Sequence, residues 1–265
     1  MDIKESKNKK INTTRHPWEL ARNEIIKIFL KKITGNIEVS NISIIDIGCG
    51  DLFVLEKIYE NFKFDEFFGV DIALSKEDIR IIENETQYKN IKILNNLNDL
   101  TIKKDNISIV LLNDVIEHIE DDKNFLADLQ KYSFISEKTV FVITVPAFQF
   151  LFCSRDTFLE HYRRYTNSQL VNLLENTNYG ITAKGYFFFT LLLPRLVKVI
   201  KERMFYKNKQ IIVNDTEVTN WKGNRIITSL IKNILIFDFC LLRFFMRFNI
   251  RIPGLSTFVI CKKFV

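Results

Sequence analysis

The chain has 265 residues, of which 47% are hydrophobic, and its formal net charge is +6. That length and apolar content are typical of one globular domain with a large core, and they exclude a disordered chain. The basic balance is compatible with an acidic substrate or a membrane surface. Because no nucleic-acid-binding motif accompanies it, we expect no nucleic-acid partner.

The four cysteines, Cys49, Cys153, Cys240 and Cys261, show no paired spacing typical of a zinc site or a disulfide framework. We therefore interpret them as small core residues in a reducing compartment. The polar first residues lead into no apolar segment of a signal peptide. The sequence predicts a cytoplasmic protein in which residues 1–14 form a mobile tail.

Helical and strand patterns alternate along the chain, and the first of them is a helix. The predicted helices are Trp18–Lys32, Leu52–Phe62, Lys76–Asn84, Asp121–Ser133, Ser168–Asn176, Leu191–Met204 and Ile226–Phe248. The predicted strands are Ile42–Ile47, Phe67–Asp71, Ile91–Leu94, Ile107–Leu112, Thr139–Val145, Gly180–Phe188 and Thr257–Cys261. Such alternation predicts a mostly parallel sheet with helices on both faces, in one domain spanning residues 1–265.

The first predicted strand ends in the most informative turn of the chain. Its β-branched apolar run, interrupted by Asp46, leads into Gly48 and Gly50, a pattern typical of a buried parallel strand that turns into a helix. Glycine lets the backbone approach a ligand closely. Asp71 ends the next strand and can accept hydrogen bonds from ribose hydroxyls. These residues predict a nucleoside-containing cofactor at the carboxyl ends of the strands.

Two kinds of cofactor fit this turn. The dinucleotide fingerprint needs a third glycine, and Phe53 occupies its place, which makes a pyrophosphate cradle less favourable. Methionine-sulfonium cofactors carry no phosphate and do not need that glycine. A plain strand-to-helix turn without a ligand is the third interpretation of the two glycines taken alone.

Several short segments, in their order along the chain, resemble the class I S-adenosylmethionine-dependent methyltransferases. This resemblance rests on Asp46–Gly50, Val70–Asp71 and Asp114–His118. Further segments are similar to a bacterial subgroup of that family: His16–Arg22, Val145–Ala147, Asp156, His161–Thr166 and Pro253–Ser256. The resemblance implies a Rossmann-like fold with a mostly parallel seven-stranded sheet, an antiparallel last strand and a helical insertion before it.

The resemblance also implies which residues bind S-adenosylmethionine. Asp46 would hold the turn and face the methionine end, Asp71 would bind the ribose, and Asn96 stands where the family often has aspartate for the adenine amine. Leu52 departs from the family, because many members carry a third glycine there. The implied cofactor-binding residues are Asp46, Gly48, Cys49, Gly50, Asp71, Ile72, Asn96, Leu97 and Asn113.

His118 is the best candidate for a general base, because it follows the fourth strand and an imidazole titrates near neutral pH. An alternative is that it only orders the loop through Glu117. Asp114 lacks clearly placed companion acids, so we expect no metal. The candidate catalytic residues are His118, His161 and Asp156.

A polar cluster after the fifth strand is the candidate acceptor site. Arg163 and Arg164 are adjacent, and paired arginines suit a phosphate or carboxylate. The alternative is a salt-bridged structural loop. The candidate substrate-binding residues are His16, Trp18, Arg163, Arg164 and Tyr165.

The connection of residues 189–252 is unusually long and needs a packing role or a function. Its apolar stretches are too short or too often interrupted by charges to span a bilayer. Two interpretations stay open: the helices cover the sheet edge and the substrate pocket, or they lie on the inner face of a membrane.

The sequence therefore predicts a methyltransferase that acts on a small-molecule or glycan- or lipid-linked acceptor by direct in-line transfer. Two alternatives from other classes remain at this point. One is a nicotinamide-dependent oxidoreductase, and the other is an S-adenosylmethionine-binding protein without catalysis.

Overall fold

The computed structural model of the protein describes residues 15–35, 41–205, 221 and 223–264. The predicted mobile tail, residues 1–14, lies outside the described residues.

Seven strands form one sheet, and their order is β3-β2-β1-β4-β5-β7-β6. Strands β1 to β5 pair in parallel, whereas β7 lies between β5 and β6 and is antiparallel to both. This topology confirms the predicted mostly parallel sheet with an antiparallel last strand. The strands are β1 (Ile42–Ile47), β2 (Glu66–Val70), β3 (Ile91–Leu94), β4 (Ile107–Asn113), β5 (Val140–Pro146), β6 (Tyr179–Phe187) and β7 (Ser256–Lys263).

Eight α-helices in the described ranges accompany the sheet, together with single 3-10 turns. They are α1 (Pro17–Thr34), α2 (Phe53–Asn61), α3 (Lys76–Glu85), α4 (Asp122–Leu129), α5 (Ser154–Phe158), α6 (Asn167–Glu175), α7 (Leu192–Phe205) and α8 (Arg225–Met246). The short α5 was not predicted. The fourth helix is shorter than predicted: it ends at Leu129, and the side chain of the capping residue Gln130 donates to the carbonyl of Thr177.

The sheet is buried on both faces, as the near-continuous apolar strands predict. Alternate residues of β1 enter different cores: Ile44 packs into the core on the side of α1, α2 and α8, and Ile45 into the core on the side of α4 and α6. The same alternation runs through β4, where Leu111 and Leu112 take opposite sides. The carboxyl ends of the parallel strands are thus held rigidly at one edge of the molecule.

The long connection between β6 and β7 contains α7 and α8. Helix α8 packs on α1, where the rings of Phe29 and Phe239 lie 5.5 Å apart. Asp238 is buried in α8 and accepts hydrogen bonds from the backbone and hydroxyl of Thr190, which ties α8 to the start of the connection. No helix within the described ranges is long and apolar enough to cross a membrane.

Candidate functional site

A cavity of about 260 Å³ lies at the carboxyl ends of β1, β2 and β4. Its walls are mostly apolar, and Asp71, Asp114 and His118 are the titratable residues that line it. Four predicted cofactor-binding residues line it, together with the candidate base His118. The lining residues are Ile47, Gly48, Val70, Asp71, Ile72, Ala73, Leu97, Asp114, Val115, His118, Ile119 and Phe125.

The turn after β1 needs glycine at Gly48. Its φ is +75°, in the left-handed region that side-chain-bearing residues rarely adopt. A Cβ atom placed there would lie only 2.7 Å from the Cγ2 atom of Val115. The Gly48 N–H donates to the carbonyl of Val70 at 2.7 Å, so the turn is fastened to the end of β2.

Asp71 lies just after β2 and lines the cavity. Its Oδ2 atom accepts a hydrogen bond from the N–H of Gly50 at 3.0 Å, and its Oδ1 atom accepts one from Ala73 at 3.0 Å. A carboxylate can accept about four hydrogen bonds in all, so both oxygens keep capacity for a ribose hydroxyl.

Leu52, the departure from the family pattern, has φ of +63° and is fully buried. Its side chain occupies the space over Gly69 in β2, because a Cβ atom at Gly69 would lie 2.7 Å from the Leu52 Cδ2 atom. The Cys49 sulfur fills the same space at 3.0 Å from that position. The Cys49 side chain thus packs beneath the turn and does not line the cavity, and its cofactor-binding role remains a prediction.

Asp46 and Asn113 are buried at the ends of neighbouring strands. Burial raises the pKa of Asp46 from 3.8 to about 7, although the positive charge of Arg22 and the Asn113 side chain oppose that rise. The Thr144 hydroxyl donates to the Asn113 Oδ1 atom at 3.3 Å. Neither residue is part of the cavity wall.

Asn96 and Leu97 follow β3 and differ in position. Asn96 is exposed, and its amide oxygen accepts a hydrogen bond from the N–H of Asn98 at 2.9 Å, which caps a 3-10 turn. Leu97 lies on the wall of the cavity. The adenine-binding role of Asn96 remains a prediction.

The cavity suits an adenosine-containing cofactor. An acid with spare acceptor capacity lies at one side for a ribose, Gly48 gives close backbone approach, and apolar residues form the remaining wall. Ile72 is 85% exposed although it is aliphatic, so it offers an apolar surface to a flat ring. The apolar wall is made by Ile72, Leu97, Ile119 and Phe125.

The start of α1 and the residues just before it contact this site. Arg22 is buried and forms an ion pair with Asp114, which has φ of +54° and lines the cavity. Arg15 pairs with Asp51 at 2.5 Å, next to the glycine turn. These contacts join residues that are far apart in the sequence.

His16 and Trp18, both predicted to bind substrate, begin α1. The His16 Nδ1 atom accepts a hydrogen bond from the Trp18 N–H at 3.3 Å and so caps the helix. The Arg22 guanidinium lies 4.8 Å from the centre of the Trp18 ring. The two residues therefore stand beside the ion pair that reaches the cavity.

A second, polar group of residues adjoins the cavity and centres on Asp156. The Nδ1 atom of His161 lies 3.1 Å from the Asp156 Oδ1 atom. Arg164 donates to the same oxygen at 2.8 Å, and Arg195 from α7 donates to the other oxygen. Burial raises the pKa of Asp156, but the His161 hydrogen bond and the two guanidinium groups outweigh it and hold that pKa well below its usual range.

Glu117, His118 and His161 meet between the cavity and Asp156. The rings of His118 and His161 lie 4.6 Å apart, edge to face. One nitrogen or oxygen from each of the three residues lies within 4.8 Å of the others. Glu117 is fully buried, and burial raises its pKa to about 8.

Arg163 and Arg164 turn to different partners. Arg164 is 7% exposed, and its donors bind Asp156 and the carbonyl of Ala147. Arg163 is more exposed and pairs with Asp122 at 2.8 Å. The Tyr165 hydroxyl donates to Asp122 at 2.7 Å. Arg164 is thus held by buried partners, and acceptor binding by Arg163, Arg164 and Tyr165 remains a prediction.

Sequence reasoning missed several residues of this site. Glu117 and Asp114 lie in the segment Asp114–His118, and Arg22 ends the segment His16–Arg22. Nothing in the sequence showed in which direction their side chains point. Arg195 carried only the signal of a charge directly after an apolar run.

Comparisons with known proteins identify the family and support the fold. A family model described as a methyltransferase domain matches residues 18–184. A search of curated proteins finds no match. The plantazolicin methyltransferase BpumL, solved with a monoazolic desmethylPZN analog and SAH, is 14% identical, with a TM-score of 0.54 over 93% of this chain and 85% of that chain.

Two further solved structures are similar. A protein from Galdieria sulphuraria described as a sarcosine dimethylglycine methyltransferase is 12% identical, with a TM-score of 0.55 over 92% of this chain and 86% of that chain. A structure of the Trm112 methyltransferase activator with a methyltransferase from Haloferax volcanii gives 10% identity and a TM-score of 0.51 over 93% of this chain and 94% of that chain. At these identities the likeness shows the fold.

The sheet order defines a Rossmann-like methyltransferase fold, and the match to the methyltransferase family model implies S-adenosylmethionine as its cofactor. Because the family model covers well over half of its length, the chain belongs to the methyltransferase family. This decides between the two cofactors that the glycine turn left open.

Proposed function

We propose that the protein transfers a methyl group from S-adenosylmethionine, directly and in line, to a small-molecule or glycan acceptor that is linked to a lipid. The observation that carries the proposal is the position of His118, which lines the cofactor cavity and contacts His161 of the polar cluster. His118 therefore lies between the cofactor cavity and the polar cluster that we propose as the acceptor site. Bound S-adenosylmethionine supplies a methyl group that its sulfonium already activates as an electrophile.

The residues of this chain then have three tasks. Asp71 and Gly48 hold the nucleoside end, and Asp46 faces the methionine end. His118 positions the acceptor nucleophile and takes its proton. Asp156 holds His161, and His161 in turn packs against His118, so the candidate base is kept in one orientation.

A lipid-linked acceptor is favoured by the outer surface of α7 and α8. Each helix has a second apolar stripe that faces away from the core, at the spacing of one helical face. A soluble monomer rarely exposes so many neighbouring apolar side chains. The exposed stripe residues are Leu193, Val197, Ile200 and Met204 in α7, and Ile226, Leu230, Ile234, Phe237, Leu241 and Phe244 in α8.

Charges on the same helices suit an anionic headgroup region. Lys198 and Lys201 are exposed on α7, and Arg247 is exposed directly after α8. Basic residues beside an apolar helical stripe are typical of helices that lie in a membrane interface. Arg195 connects α7 to Asp156, so a membrane-bound α7 would lie next to the polar cluster.

The acceptor assay uses S-adenosylmethionine with a labelled methyl group and two extracts of the cells that carry this gene. One extract holds their lipid-linked glycans, and the other holds their water-soluble metabolites. We expect label in the lipid-linked fraction, and we expect His118→Ala to lower kcat by about 10²–10⁴. Tight cofactor binding without label in either fraction would instead indicate a binding protein without catalysis.

A further inference from the structure

We propose that Glu117, His118 and His161 bind a divalent transition-metal ion, with Zn²⁺ as the best fit. Two imidazoles and one carboxylate are a common ligand set for catalytic zinc and for related metal ions. In this protein they come from two segments that the fold brings together, the turn after β4 and the loop after α5. Their candidate ligand atoms lie within 4.8 Å of one another.

Glu117 gives an independent reason to place a cation there. Its carboxyl group is fully buried, and neither oxygen has a hydrogen-bond partner among the described residues. A buried polar group without a partner is costly, and native proteins rarely leave one. A metal ion between Glu117 and the two histidines would satisfy this carboxylate.

The surroundings of His161 are those of a metal ligand. Its Nδ1 atom lies 3.1 Å from the Asp156 Oδ1 atom, a contact that favours the tautomer with the proton on Nδ1. The lone pair of Nε2 is then available to an ion. Metal-binding histidines regularly have such a carboxylate partner on the other nitrogen.

The distances need only a small adjustment. Zinc binds nitrogen and oxygen at about 2.0–2.2 Å, so tetrahedral donors stand roughly 3.3–3.5 Å apart. Small side-chain movements would bring the three donors to that spacing. Three protein ligands leave a fourth position open, and His118 would place the ion beside the wall of the cofactor cavity.

The role of the ion rests on the proposed function, although its binding does not. At the open position the ion would hold an acceptor hydroxyl and lower its pKa, so that its proton leaves to solvent. The new O–C bond forms as the C–S bond breaks, and that bonding pair stays on the sulfur of S-adenosylhomocysteine. With the ion bound, His118 is a ligand and the ion replaces it as the group that activates the acceptor.

The test is direct metal binding by untagged protein, because a histidine tag would bind metal itself. The protein is stripped with a chelator and titrated with Co²⁺, which reports tetrahedral or five-coordinate binding in its visible spectrum, and Zn²⁺ then displaces it. We expect one Co²⁺ per chain. We expect Glu117→Gln and His161→Asn each to weaken binding at least about 10-fold.

His16→Asn is the matched control, because His16 is the one histidine of the chain outside the cluster. It should bind Co²⁺ as the unaltered protein does, and Mg²⁺, which prefers oxygen ligands, should not compete. Circular dichroism checks that each variant is folded. If His161→Asn does not fold, Glu117→Gln still tests the site, because glutamine keeps the shape of the glutamate side chain.

Absence of Co²⁺ binding, or equal binding by the folded Glu117→Gln variant, would overturn the metal site. Calorimetry with S-adenosylhomocysteine in the presence of chelator separates this outcome from the proposed function. Cofactor binding without metal binding would disprove only the metal site. Metal binding with no label in any acceptor fraction would disprove only the proposed acceptor chemistry.

Discussion

The carboxylate of Asp71 accepts a hydrogen bond from the N–H of Gly50 at 3.0 Å, so the residue after β2 fixes the glycine turn after β1. This contact holds the turn in place without a ligand. The same carboxylate keeps capacity for further hydrogen bonds, and its binding to a ribose is the prediction tested at the end of this section.

Gly48→Ala should prevent cofactor binding. The new methyl group would meet Val115 at 2.7 Å and hold an unfavourable φ of +75°, which together cost about 2–5 kcal/mol. Urea unfolding and titration with S-adenosylhomocysteine measure both effects. Gly35→Ala is the control, because Gly35 has φ of −55° and should tolerate the change. Normal cofactor affinity in Gly48→Ala would contradict this account of the turn.

Asp46 should make cofactor affinity depend on pH. Burial raises its pKa from 3.8 to about 7, and an ammonium group at the methionine end would favour the ionised form. Affinity for S-adenosylhomocysteine should therefore fall by up to about 10-fold per unit as pH decreases below 7. Asp46→Asn should bind more weakly and lose this pH dependence, which calorimetry at several pH values measures.

Ionisation of Asp46, which should favour cofactor binding, should lower the stability of the folded protein. Because the folded pKa is raised, the contribution of Asp46 to stability is full below pH 3.8 and is lost as pH rises to about 7. Asp46→Asn should consequently be more stable than the unaltered protein at pH 8, by at most about 4 kcal/mol, and equal to it near pH 4. Equal stability of the two proteins at pH 8 would mean that burial does not penalise this charge.

Asp156→Ala should be strongly destabilising at neutral pH. It would leave Arg164 and Arg195 without their buried carboxylate, a loss of about 3–5 kcal/mol in the free energy of unfolding. Because the pKa of Asp156 is held low, its stabilisation is present above pH 3.8 and is lost as pH falls further. The difference between the two proteins should therefore shrink in acid.

Asp128→Ala is the matched control for that change. Asp128 pairs with Lys131 on the surface, and exposed pairs of this kind contribute at most about 1 kcal/mol. If urea unfolding gave similar losses for the two variants, Asp156 would not be the centre of a buried ion cluster.

The double change Phe237→Ser and Leu241→Ser should weaken binding to vesicles that contain anionic lipid. The two side chains are 68% and 44% exposed on α8, and burial of each in lipid contributes roughly 1.5–3 kcal/mol. Flotation should show a drop of at least 10-fold, and high salt should weaken the remaining attraction. Ile81→Ser, an exposed apolar change on α3, should leave flotation unaltered. Equal flotation of all three proteins would exclude α8 as the lipid surface.

The sequence predicted the sheet closely because strand identity depends on local apolar runs. The bounds of β1 and β3 agree with prediction, and the remaining strands differ by at most two residues at either end. The fourth helix is shorter than its pattern predicts: it ends just before Gln130, whose side chain contacts Thr177, a residue distant in sequence.

The site was predictable where backbone position alone decides it. Gly48, Asp71 and His118 follow strands, so their place at the sheet edge followed from the topology. The directions of the side chains could not be predicted in this way. Arg163 and Arg164 are adjacent, yet Arg163 pairs with Asp122 and Arg164 pairs with Asp156. Contacts between distant segments, such as that between Arg195 and Asp156, depend on how α7 packs, and no local pattern encodes this.

Titration calorimetry with S-adenosylhomocysteine and with NAD, on the unaltered protein and on Asp71→Ala, measures which cofactor the cavity binds and whether Asp71 holds it. The unaltered protein should bind one S-adenosylhomocysteine and no NAD. Asp71→Ala should stay folded and bind at least about 10-fold more weakly, because a lost charge-assisted hydrogen bond costs roughly 1.5–3 kcal/mol. Binding of NAD alone, or unchanged affinity in a folded Asp71→Ala protein, would contradict the account.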